Sequence, residues 1–290
     1  MNKDKEAYIY VFLVILFWST VASAFKLSLR YLNFVQLLFW SSLTAFLILF
    51  IIIVFQKKLH LLRESFKNDW KSSLFCGFLN PFLYYMVLFK AYSLLPAQEA
   101  QPLNQTWAIV LVLFSGLFLK QPIRIKSIVA IFISFIGVLI ITTHGDFKHL
   151  TLSNPQGVIL ALGSAFIWAL YWIANLKDDR DEIIKLFSNF FFGLLFIIPL
   201  IVITNNLKPS SCSGLLGGIY VGIFEMGITF LFWLKALKFS ASIAGITNLI
   251  YFIPFLSLVL ISLTVGEKIS PWTILGLAFI VVGNLIQHRR

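Results

Sequence analysis

The chain has 290 residues, 59% of them hydrophobic and only 12% charged, and its mean hydropathy is +0.91. A soluble domain carries about 25% charged residues, so this composition excludes an ordinary water-soluble enzyme and fits a polytopic membrane protein. The net charge of +11 reads as the Lys and Arg that collect in inner loops of membrane proteins; no basic stripe carries the interleaved aromatics of a nucleic-acid surface.

The first predicted span covers residues 7–29. Lys3, Lys5 and Ala22-Ser23-Ala24 imitate a signal peptide. Asp4 and Glu6 dilute the positive region, however, and apolar character resumes after Ala24, so an uncleaved helix is expected. The second span covers 33–55. In the charged connector 57–71, Leu59, Leu62, Phe66 and Trp70 recur at helical spacing, the pattern of a short helix lying on headgroups. The third span, 72–92, contains Asn80-Pro81, and a proline there frees a backbone carbonyl that protein or water must satisfy. The fourth, 98–119, opens with Gln98, Glu99, Gln101, Asn104 and Gln105, interrupted by Pro102. The fifth, 126–143, has Gly137 in its apolar body, and polar residues 144–155 divide the chain.

In the second part, span six covers 156–176 with Trp168, Tyr171, Trp172 and Asn175. Residues 177–182 carry mixed charge and read as a solvated connector before span seven, 184–204. Span eight, 214–237, holds Glu225 and the small residues Gly214, Gly217, Gly218 and Gly222, which let helices approach closely. Span nine, 241–265, contains Asn248 and Pro254, and span ten covers 271–287.

The expected fold is therefore an all-α membrane protein of ten transmembrane helices, each about 20 residues long. With the N-terminus inside, most of the 23 Lys and Arg fall on the inner side, which places both termini in the cytoplasm. Two halves, 1–145 and 153–290, then hold five helices each. An odd-numbered repeat inserts in opposite orientations, so the halves form an inverted repeat. The repeat is visible directly: one constant offset superimposes Gly77 on Gly222, Asn80 on Glu225, Lys90 on Lys235 and Ala91 on Ala236. A polar residue thus recurs at the same depth in both halves.

Helix count, Trp18 and Trp168 early in each half, Pro254, Val265-Gly266-Glu267-Lys268 and Gly283 together resemble the drug/metabolite transporter superfamily in its EamA-type branch. The likeness spans nearly the whole chain, and residues 95–107 look like a subgroup of these transporters. The first half departs from it: Gly137 aligns with Gly283, but Gln121 stands where Glu267 does and Ala108 where Pro254 does. The resemblance implies a carrier with a central cavity that works by alternating access. It implies small polar substrates, amino acids among them, and often export.

Glu225 is the leading candidate, because a carboxylate in hydrocarbon is costly and usually faces a bundle interior or a watery cavity. Asn80 gains from its match to Glu225. Glu99, Asn104 and Asn248 are buried-amide or carboxyl candidates for lining or coupling, against a plain role in capping and interhelical hydrogen bonds. Trp18 and Trp168 can wall a substrate or simply pack. Lys26 either snorkels to the interface or meets Glu99 as an outer gate.

No phosphate-cradling loop, His-Glu-x-x-His or Cys-x-x-Cys is present, so no catalytic residue, metal or cofactor is expected. Cys76 and Cys212 fall on opposite sides and are expected to stay unpaired. The sequence reads as a secondary transporter, an exporter of small organic metabolites such as amino acids, in the cytoplasmic (inner) membrane. Proton coupling through Glu225 is part of that reading. Its partners are a small-molecule substrate and the lipid bilayer, with no nucleic acid and with a homodimer left open. The alternatives are a multidrug or cationic-compound exporter, or a non-transporting membrane scaffold or receptor on the same fold.

Overall fold

The computed structural model describes residues 3–119, 125–146, 154–240, 249–250 and 252–288. The first half runs α1 (Lys3–Ser28), α2 (Phe34–Phe55), α3 (Leu59–Asn68), α4 (Trp70–Gly77), a π-helical turn (Phe78–Leu83), α5 (Tyr84–Leu94), α6 (Ala97–Asn104), α7 (Trp107–Leu119) and α8 (Ile125–Thr143). The second runs α9 (Pro155–Leu176), α10 (Glu182–Ile203), α11 (Cys212–Val221), a second π-helical turn (Gly222–Gly227) and α12 (Ile228–Phe239). It closes with α13 (Ile253–Leu260), a third π-helical turn (Ile261–Val265) and α14 (Pro271–His288).

Polar caps fix the helix starts. Asn33 and Gln36 form a reciprocal capping box on α2, Asn154 caps α9 just before Pro155, and Asp181 and Ser211 cap α10 and α11. Six stretches among the described residues are long and apolar enough to cross a membrane: Lys5–Ser28, Phe34–Phe55, Trp70–Leu94, Pro155–Asn175, Glu182–Ile203 and Cys212–Ala236. Ile128–Thr143, Ile253–Val265 and Pro271–Ile286 are shorter apolar helices.

Contacts between the halves come in swapped pairs. α1 packs on α12 as α9 packs on α5; α2 meets the second π turn as α10 meets the first; α1 meets α13 as α9 meets α7. α2 and α10 pack on each other, as do α8 and α14. The entry to each π turn, Gly77 just ahead of the first and Gly222 opening the second, sits against a backbone with no room for a Cβ. One on Gly77 would collide with the Asn189 carbonyl, and one on Gly222 would lie 2.5 Å from the Ser41 carbonyl. The small residues of span eight therefore do mark a close approach.

Several expectations change in detail. Spans three and eight are each interrupted by a π turn, which membrane helices tolerate where protein re-satisfies the freed groups. Span four is two helices, α6 and α7, parted at Gln105–Thr106, where the Thr106 hydroxyl turns back to the Leu103 carbonyl at 2.7 Å. The connector after α9 is not wholly solvated. Arg180 and Asp178 pair at 2.6 Å with side chains only 13% and 7% exposed. The α3 helix turns Leu62 and Ser65 inward, packs on α10 and leaves Leu59 exposed.

Candidate functional site

Where the eighth span widens into a π turn, Glu225 is carried on it, 9% exposed. Its Oε1 accepts a hydrogen bond from the hydroxyl of Tyr85, 3.0 Å away, on the α5 helix of the other half. Tyr85 is fully buried, and no sequence pattern singled it out. The one available signal was the pair Tyr84-Tyr85 in an apolar run, since a buried tyrosine hydroxyl needs a partner. A hydrogen bond to a charged group contributes about 1.5–3 kcal/mol, so Tyr85 is a substantial stabiliser of the ionised carboxylate.

Polar contacts continue from the neighbouring ring. The Tyr84 hydroxyl donates to Asn104 Oδ1 at 3.3 Å, and Asn104 Nδ2 donates to the buried Ser164 hydroxyl at 2.9 Å. Trp168 stacks on Tyr84 with ring centroids 4.4 Å apart, and it also meets Tyr171 and Phe230. Trp18 lies beyond Phe230, edge-on to it, with its indole N–H unpartnered. The structure thus brings Glu225, Asn104 and Trp168 into one centre through Tyr84 and Tyr85, with Trp18 on its flank.

Asn80 occupies the matching place on the first π turn. Its backbone is non-helical (φ −148°, ψ 119°), its side chain is fully buried, and neither amide atom has a hydrogen-bond partner. It does not re-satisfy the backbone freed by Pro81 with its side chain.

The other candidates go elsewhere. Lys26 does not snorkel free, and the Glu267 and Glu99 carboxylates lie within electrostatic reach of its ammonium. Its ammonium donates to the Tyr92 and Leu95 carbonyls at 2.9 and 2.6 Å, capping the C-terminal end of α5. Glu99, 2% exposed, lies 3.4 Å from the ring nitrogen of His144, away from Glu225's contacts. Asn248 lies outside the described residues.

Two polar seams join the halves at opposite ends of the helices. At one, Glu267 accepts from the Ala97 and Gln98 amides at 2.8 and 3.1 Å, while Arg30 donates to the Val265 carbonyl at 2.7 Å. Gly266 makes this reach feasible with a left-handed φ of 81°. Gln121, its counterpart in the first half, lies outside the described residues. At the other end, Lys58 bonds Asp181 at 2.6 Å, and Arg180 donates to the Ser65 and Ser73 hydroxyls at 2.6 and 2.8 Å. Burial pushes the Asp178 carboxyl up, but the hydrogen bonds from Arg180 outweigh it and hold the group below the usual carboxylate range.

The EamA-like transporter family model matches residues 5–143 and again 155–287. The chain belongs to this family. It is a multi-pass membrane protein and a transporter by family, not an enzyme. An "Uncharacterized transporter" of Clostridium kluyveri is 28% identical over 98% of this chain and 93% of that protein. The "Uncharacterized transporter YvbV" of Bacillus subtilis is 25% identical over 100% of this chain and 93% of its own length. "Protein PecM" of Dickeya dadantii is 24% identical over 75% of this chain and 73% of its own length. A solved crystal structure shares the fold with a TM-score of 0.64 at 21% identity, covering 98% of this chain and 96% of that one.

Proposed function

We propose that this EamA-family protein is a secondary transporter of the cytoplasmic membrane, exporting small organic metabolites that carry a cationic group, amino acids among them. Its ten spans form two inverted five-helix repeats, units 1–145 and 153–290, with both termini in the cytoplasm. The reading is carried by one observation: a buried carboxylate on a π-helical turn within a membrane span, hydrogen-bonded at 3.0 Å to a tyrosine of the opposite half. Intramembrane carboxylates mark substrate or proton pathways, and π-helical turns inside α-helices occur frequently at functional sites. Glu225 accommodates either a proton or a substrate cation, and exchange of one for the other couples their movements. Because Tyr85 and Glu225 belong to different halves, a change in the occupant of Glu225 is felt directly across the interface that alternating access must open.

Counterflow of radiolabelled amino acids and amines in proteoliposomes tests the reading. Wild type is expected to exchange a cationic solute with a pH-dependent rate, and Glu225→Gln to lose it. Equal exchange by both proteins would reduce Glu225 to a structural group. A cationic-compound exporter is the second reading, favoured by the rings of Tyr84, Tyr85 and Trp168 gathered beside the carboxylate. Competition by tetraphenylphosphonium, without competition by any amino acid, would select it.

A further inference from the structure

The Glu225 site has a neutral counterpart that the family assignment leaves unexplained. Asn80 stands where the repeat places Glu225, on the first π turn, and both of its amide atoms are buried without a partner. Beside the same tyrosine, Tyr171, is Asn189 of α10, 1% exposed, whose Nδ2 donates to the Tyr171 hydroxyl at 3.5 Å and whose Oδ1 is also unpartnered. The Tyr171 hydroxyl lies near the Asn80 amide, outside hydrogen-bond geometry. Pro81 abuts Gly193 and Gly77 abuts the Asn189 backbone, so the two helices are pressed together on either side of these amides. None of the three groups carries a formal charge. Natural interiors seldom leave such atoms unmet unless a ligand or water meets them.

We infer that Asn80, Asn189 and Tyr171 form a second, uncharged subsite that takes a neutral hydrogen-bonding group of the solute, of the carboxamide kind. The two free amide oxygens accept from an –NH2, and Asn80 Nδ2 donates to a carbonyl. The fit is with a primary amide rather than with an ammonium or a carboxylate, each of which offers only one half of that pattern. Trp168 connects the two places: it stacks on Tyr84, beside the Glu225 partner Tyr85, and on Tyr171. The inference rests on the proposed role of Glu225 only in joining the two subsites into one solute, an amine at one end and a neutral amide at the other.

Titration calorimetry of the detergent-purified full chain with three probes of similar length tests it: γ-aminobutyramide, n-pentylamine and pentanamide. Wild type is expected to bind γ-aminobutyramide about tenfold more tightly than n-pentylamine, the ratio one good hydrogen-bond set supplies. Asn80→Ala and Asn189→Ala should each bring the amide down to the level of the plain amine. Asn189 lies in regular helix, so its variant carries the test if the Asn80 variant fails to fold. Equal affinity for both amines in wild type overturns the subsite, and leaves the Glu225 reading standing if Glu225→Gln loses n-pentylamine. Pentanamide binding that the Asn variants abolish, with no binding of n-pentylamine, keeps the subsite and removes the Glu225 reading. Failure of every amide probe to bind overturns the subsite outright.

Discussion

At the residue scale, the decisive contact is that between Tyr85 and Glu225, because removing either partner changes what the other must do. Tyr85→Phe deletes a donor to a buried carboxylate, at a cost of about 1.5–3 kcal/mol for a hydrogen bond to a charged group. If the two act as one unit, their losses will not add. Transport by the Tyr85→Phe, Glu225→Gln double variant should equal that of Glu225→Gln alone; additive losses would mean independent roles. Glu267 makes a different kind of contact, two backbone amides at the start of α6. Glu267→Ala removes a cap contributing about 0.5–2 kcal/mol, so thermal melts should show a matching loss of stability. Glu225 was conspicuous in the sequence as an acid in an apolar run, and Glu267 as part of the family-like stretch Val265-Gly266-Glu267-Lys268. Their partners were not, because Tyr85, Ala97 and Gln98 lie in the other half and no local pattern points across it.

The elements differ in how much the sequence disclosed. Asn80-Pro81 announces a break in the third span, since proline removes a donor. The π turn at Gly222–Gly227 has no proline, and Gly222 read only as a close-packing residue, so nothing in the eighth span announced the turn. A reciprocal close approach joins α8 and α14, where Cβ atoms on Gly137 and Gly276 would each lie within 2.6 Å of the other's carbonyl. Gly276→Leu forces a side chain into that contact, and overpacking costs about 1–3 kcal/mol. A lower melting temperature is expected, with transport per folded molecule unchanged, because the pair carries none of the groups around Glu225. Lost transport at normal stability would instead tie this helix pair to the working cycle.

At the scale of the whole molecule, the halves are held together at both helix ends by polar seams, and the seams differ in kind. One uses a carboxylate on backbone amides. The other buries Arg180 and Asp178 between α9, α3 and α4 and adds the Lys58–Asp181 pair. Residues 177–182 read as a solvated loop because charged connectors usually are, and because Ser65 and Ser73 belong to the other half. Breaking this seam should let that end open, and the chain supplies its own reporter. Cys76 is a free thiol, 1% exposed, near Asp178 and Arg180, whereas the other cysteine, Cys212, is exposed. In a Cys212→Ser background, a water-soluble maleimide should label Cys76 slowly. Arg180→Ala leaves Asp178 buried without its partner and removes hydrogen bonds to charge contributing about 1.5–3 kcal/mol each, enough to raise the open population and the labelling rate roughly tenfold or more. The sign of the pH dependence follows from Asp178, whose folded value lies below that of an ordinary carboxyl. Its contribution is complete above the unfolded value of about 3.9 and is lost as the pH falls through the folded value, so across about pH 6–8 this seam should add no pH dependence to thiol accessibility. Equal labelling of Cys76 with and without Arg180 would show that the seam only stabilises the fold and does not hold that end shut.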